Sequence, residues 1–69
     1  MKSILDIYDL LKTYGTYIYT RDRLGDLALI EDEIRELYKM RVLDIQDYQM
    51  ALLLLRQETT KVRSELNNQ

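Results

Sequence analysis

Proline is absent from this chain of 69 residues, and glycine occurs only at positions 15 and 25, so little interrupts helix formation along most of its length. Proline removes a backbone donor and clashes with the preceding turn, and glycine weakens a helix interior by about 1 kcal/mol. Where both are scarce, side-chain pattern and end caps decide where helices begin and stop. Cysteine and histidine are missing as well. Disulfides are therefore excluded, and so are the common zinc-ligand sets. A domain this small buries only about 60% of the surface its unfolded chain exposes. Its stability has to come from regular helix packing, from self-association, or from both.

The apolar spacing predicts three helices, at about residues 4–14, 21–40 and 45–65, in a single helical domain over residues 1–69. In the first, Ile4, Ile7, Tyr8, Leu11 and Tyr14 recur at the i, i+3, i+4 rhythm of one buried face. Ser3 is a suitable N-cap with Asp6 three residues on, and Gly15 sits where a left-handed stop belongs. The second helix is read as starting after Thr20. It carries Leu24, Leu27, Ile30, Ile34, Leu37 and Tyr38 on one side, with Leu29 pointing away. Gly25 inside it suggests a close approach by another backbone or nothing specific. The third starts after Asp44 as N-cap, with Leu43 placed to form a hydrophobic staple with Tyr48. Ile45, Tyr48, Ala51, Leu52, Leu55, Val62 and Leu66 make its inward stripe, and residues 67–69 are expected to fray. A short connection between the second and third helices makes them antiparallel, so the expected fold is all-α, a small up-down-up three-helix bundle.

Composition narrows the functional classes. Ten basic residues stand against twelve acidic, a net charge of −2, unlike a basic duplex-binding domain. The longest apolar run is the six residues 50–55, far short of the roughly 20 of a membrane span. The N-terminus lacks the apolar core of a signal peptide, so the chain is read as cytoplasmic, without a membrane partner. No Cys or His offers a nucleophile–base pair, and two isolated glycines make no phosphate loop, so the chain is read as no enzyme and as holding no cofactor. Glu31, Asp32, Glu33 and Glu36 form an acidic run that is read as a solvated helix face, and no metal site is expected.

Two features stand out against this background. Residues 12–23 read Lys-Thr-Tyr-Gly-Thr-Tyr-Ile-Tyr-Thr-Arg-Asp-Arg. Three tyrosines are interleaved with Lys12, Arg21 and Arg23 against the single acid Asp22, a local charge of +2 that leaves −4 on the rest of the chain. Aromatic faces that stack on bases, beside cations that meet phosphates, are the means by which single-stranded nucleic acid is held. The start of the second helix adds backbone N–H groups and a positive dipole end suited to a phosphate. The candidate binding residues are Lys12, Tyr17, Tyr19, Arg21 and Arg23. A structural reading stands beside this one. Tyr14 lies on the core stripe, the Tyr17-Ile18-Tyr19 alternation can roof the core, and Arg21 and Arg23 can pair with Asp22 or Asp26. The second feature is the third helix, where Met50, Leu53 and Leu54 lie opposite the main stripe and would expose an apolar strip. They are the candidate interface of a homo-oligomer, the alternative role being a protein-interaction or scaffolding module.

The run Leu10-Leu11-Lys12-Thr13-Tyr14-Gly15-Thr16, then Ile18-Tyr19-Thr20, then Asp22-Arg23, resembles the YqgQ-like family of small bacterial proteins related to those of Bacillus. Glu36-Leu37-Tyr38 and residues 44–56 are similar in character. The matching positions are Lys12, Tyr14, Gly15, Tyr19, Asp22 and Arg23. The resemblance implies a compact helical bundle without assigned enzymatic activity, and single-stranded nucleic acid as ligand. The sequence departs from the family pattern after the second helix, where Met40-Arg41-Val42 stands in place of an expected glycine-containing turn.

Overall fold

The first two helices each follow an N-cap residue and end in a left-handed turn, and the third starts at a cap of its own. The structure, a computed structural model, describes residues 1–67; Asn68 and Gln69, part of the segment expected to fray, lie outside the described residues. α1 is Ile4–Thr13, α2 is Arg23–Lys39 and α3 is Ile45–Asn67. The architecture is an up-down-up three-helix bundle, with no strand among the described residues. Residues 16–20, β-branched and aromatic throughout, form an irregular segment between α1 and α2.

α1 begins at Ser3 in extended conformation. The Asp6 carboxylate accepts hydrogen bonds from the backbone N–H groups of Lys2 at 2.7 Å and Ser3 at 3.2 Å. The Lys2 bond is the main reason that the carboxyl of Asp6 titrates below its usual value. At the other end, Gly15 takes φ +77°, its N–H bonds the Lys12 carbonyl, and the Thr16 N–H bonds the Leu11 carbonyl. That pair of bonds is the Schellman arrangement. α2 stops the same way: Arg41 N–H bonds the Tyr38 carbonyl and Val42 N–H bonds the Leu37 carbonyl. Here Arg41 itself adopts φ +62°, so the missing glycine changes the residue and not the turn. α3 starts at Asp44, whose carboxylate accepts the Asp47 N–H at 2.8 Å.

The core is Ile7 and Leu11 from α1, Leu27, Ile30, Ile34 and Leu37 from α2, Leu43 from the turn, and Ala51, Leu55 and Val62 from α3. α3 is the helix on which both others pack, while α1 and α2 touch each other less. Burial of these side chains at about 25 cal/mol per Å² of apolar surface is the dominant stabilising contribution. Near the α2–α3 turn the rings of Tyr38 and Tyr48 stack with centroids 4.1 Å apart and planes within 4°.

Four expectations change. α2 starts at Arg23 with Asp22 as N-cap, two residues beyond Thr20, because the Thr20 side chain is engaged elsewhere. Tyr14 is exposed: α1 ends at Thr13, so the ring leaves the helical register that would bury it. Ile45 and Leu66 are exposed too; for Leu66 the reason is that α3, at 23 residues, outruns the 10 of α1 and the 17 of α2. Leu54 is not part of an exposed strip. It is half-buried and packs on the core, since α3 carries two neighbours and its buried arc is correspondingly wide. No described helix is long and apolar enough to cross a membrane.

Candidate nucleic-acid interface

The segment between α1 and α2 alternates as a strand would, although it pairs with nothing. Ile18 turns inward against the core, and Tyr17 and Tyr19 on either side turn outward. They are 74% and 80% exposed, the most exposed large apolar side chains among the described residues. Exposure of this degree leaves ring faces open for stacking.

Two interactions hold the segment in place. Asp26, in the first turn of α2, is 3% exposed and accepts hydrogen bonds from the Thr20 N–H at 3.0 Å and from the Thr20 hydroxyl. A charged acceptor of this kind contributes about 1.5–3 kcal/mol per bond. The clamp also sustains a left-handed backbone at Arg21, φ +69°, which a residue with a Cβ adopts only where its surroundings enforce it. The second interaction is made by Arg23. Its Nη1 donates to the Tyr8 hydroxyl at 2.6 Å and its Nη2 to the Glu58 carboxylate at 3.0 Å. The guanidinium thus joins α1, the start of α2 and α3. The Glu58 bond, against a smaller opposing effect of partial burial, raises the pKa of Arg23 above the ordinary guanidinium value.

Arg23 is therefore engaged within the bundle, and its partner is Glu58, neither Asp22 nor Asp26. Lys12 and Arg21 make no ion pair among the described residues and are the cations left to a ligand. The start of α2 is also less open to an anion than its dipole suggests, because Asp22 and Asp26 already place two carboxylates there. Gly25 is explained by the same crowding. A Cβ at that position would lie 2.6 Å from an Asp22 carboxylate oxygen, so the close neighbour is a side chain and not another backbone.

Two depressions meet at the Tyr19 ring. One, of about 170 Å³, is lined by Tyr8, Lys12, Thr16, Tyr17, Ile18 and Tyr19. The other, of about 320 Å³, is lined by Tyr19, Arg21, Arg23 and Asp26. Residues 1–61 match the YqgQ-like family. The chain belongs to that family. Similar to this member is the uncharacterised protein YqgQ of Bacillus subtilis (strain 168), 30% identical over 64 residues that cover 93% of this chain and 90% of that protein.

The contribution of Tyr8 and Glu58 was not visible in the sequence, because their contacts with Arg23 span 15 and 35 positions and obey no periodic rule. Asp26 was the more accessible omission: a carboxylate on the apolar side of α2, one residue before Leu27, has to find a donor. On α3, Met50 and Leu53 are exposed, and Leu53, Arg56, Gln57 and Thr60 line a shallow depression. The acidic run of α2 is exposed or half-exposed, with Glu31 paired to Arg35 and Glu36 to Lys39. Among the described residues no group of three or more carboxylates is placed to hold a metal ion.

Proposed function

We propose that this protein binds single-stranded nucleic acid weakly, with little sequence preference and without catalysis, through residues 12–23. The observation that supports the reading is the outward projection of Tyr17 and Tyr19 beside Lys12 and Arg21, two cations with no ion-pair partner among the described residues. In this reading the two rings stack on successive bases and Lys12 and Arg21 meet the backbone. Arg23 serves as a positioning residue, fixing the segment through Tyr8 and Glu58. Each stacked base contributes about 1–3 kcal/mol, and binding weakens with salt as counterions are released.

The test is fluorescence anisotropy with labelled single-stranded RNA and DNA oligomers at low and physiological salt. The expected result is saturable, salt-sensitive binding that Tyr19→Ala weakens about tenfold or more and Arg21→Ala weakens further. Absence of binding at low salt would defeat the reading. The rival role, self-association or partner docking through Met50 and Leu53, is favoured by their exposure on α3. It predicts a sedimentation coefficient that rises with concentration and falls back in Leu53→Glu.

A further inference from the structure

The α1–α2 segment sets how far apart its two exposed rings can stand. No turn or bend interrupts residues 16–20, and none of them has a positive φ. Alternate Cα atoms of a chain this straight lie about 6–7 Å apart, and alternate side chains leave on one side. Tyr17 and Tyr19 are alternate residues, both outward, with Ile18 turned in between them. Both border one depression of about 170 Å³, and their rings do not stack on each other; the one stacked pair among the described residues is Tyr38 with Tyr48. A space of that order accepts a single small aromatic ring, an apolar cavity of roughly 150 Å³ being enough for benzene.

Stacked bases repeat about every 3.4 Å along a strand. Two rings at about twice that repeat leave room for one base between them and none for a stacked pair. A strand that uses both rings therefore has to open its own stack. We propose that the segment holds a single strand stretched open, one base lying between the Tyr17 and Tyr19 rings and its two neighbours against their outer faces. Each ring then takes the place of a base in the stack, and base–base contacts are exchanged for base–tyrosine contacts. Lys12 borders one of the two depressions that meet at Tyr19 and Arg21 the other, so cations are at hand for the phosphates around the central base. The inference rests on the single-strand reading above and adds to it the shape of the bound strand.

The probe is a deoxyadenosine hexamer, whose bases stack in the free strand and give a circular-dichroism signal that the stack itself creates. Anisotropy at low salt establishes the protein concentration at which the strand is saturated. Circular dichroism of the saturated strand in the base-absorption region, after subtraction of the free protein, is expected to lose roughly two fifths of the signal, about two of the five base steps being opened. Tyr17→Phe and Tyr19→Phe keep the rings and are expected to keep the loss. Tyr17→Leu and Tyr19→Leu, at exposed positions, each remove one ring and are expected to halve it once saturation is restored. An unchanged signal in a strand that anisotropy shows to be bound would overturn the stretched strand and leave single-strand binding standing. A loss that persists in full when both rings are replaced by leucine would show that another surface opens the stack, and would overturn it as well. If the hexamer does not bind at low salt, the single-strand reading fails, and this inference with it.

Discussion

The two connections of this bundle begin alike and end differently. Both leave a helix through the same pair of backbone hydrogen bonds, with a left-handed residue at Gly15 in one and Arg41 in the other. The second connection then closes at once: Leu43 drops into the core and Asp44 caps α3 with its own carboxylate. The first runs on through residues 16–22, packs on the core only through the half-buried Ile18, and hangs Tyr17 and Tyr19 in water. The α2–α3 turn needs nothing beyond its own residues. The α1–α2 segment is held by groups borrowed from elsewhere: Asp26 from α2, Tyr8 from α1, and Glu58 from α3 through Arg23. A segment longer than closure requires, and fastened from three sides, holds its outward side chains in fixed positions.

The sharpest way to test this contrast is to remove the apolar anchor of each connection. Leu43→Ala is expected to cost about 3 kcal/mol in urea unfolding, and Ile18→Ala about half as much. Equal losses would mean that the longer segment is as much a part of the core as the shorter turn. Next in size come the left-handed residues. Gly15→Ala is expected to destabilise by about 1 kcal/mol through backbone strain alone, since its Cβ would meet nothing within 4 Å. Arg41→Gly is expected to move stability the other way by a similar or smaller amount, relief of strain being partly offset by a freer unfolded chain. Thermal unfolding of the two variants side by side would show the opposite signs. The smallest effect concerns the helix starts. Asp44→Ala is expected to cost about 1 kcal/mol, because it deletes a formed cap bond. Asp22→Ala is expected to cost only a few tenths, because its carboxylate makes no such bond. Comparable losses at the two aspartates would erase the distinction between a self-capped helix and one held by its neighbours.

How much of this was legible in the sequence follows from the range over which each interaction acts. Ser3 with Asp6, Gly15, and Asp44 act within four residues, and they mark helix ends from the sequence as they do in the fold. The core stripes of α1 and α2 follow from helical period, and Ile18 between two outward tyrosines follows from alternation. Leu54 was misplaced because a wheel drawn for one helix does not know that two others will lie on it. Ile45 and Leu66 failed because the wheel does not show which positions near the ends of α3 are left uncovered. Arg23 was identified as a notable cation, yet its commitment to Tyr8 and Glu58 depends on how the helices cross. The candidate surface was thus visible as a composition, and its division into free cations and a committed one was not.

The stacked rings of Tyr38 and Tyr48 have an optical consequence. Without tryptophan or phenylalanine, the near-ultraviolet signal of this protein arises from six tyrosines alone. Two of them lie parallel at 4.1 Å beside the α2–α3 turn, where each dims the emission of the other, and two stand in solvent at the far connection. Unfolding separates the first pair and brightens it, whereas a ligand covering Tyr17 and Tyr19 shields them from a dissolved quencher. The molecule therefore carries an intrinsic reporter of its integrity and, on the proposed reading, a second for occupancy of the segment, readable without any attached dye.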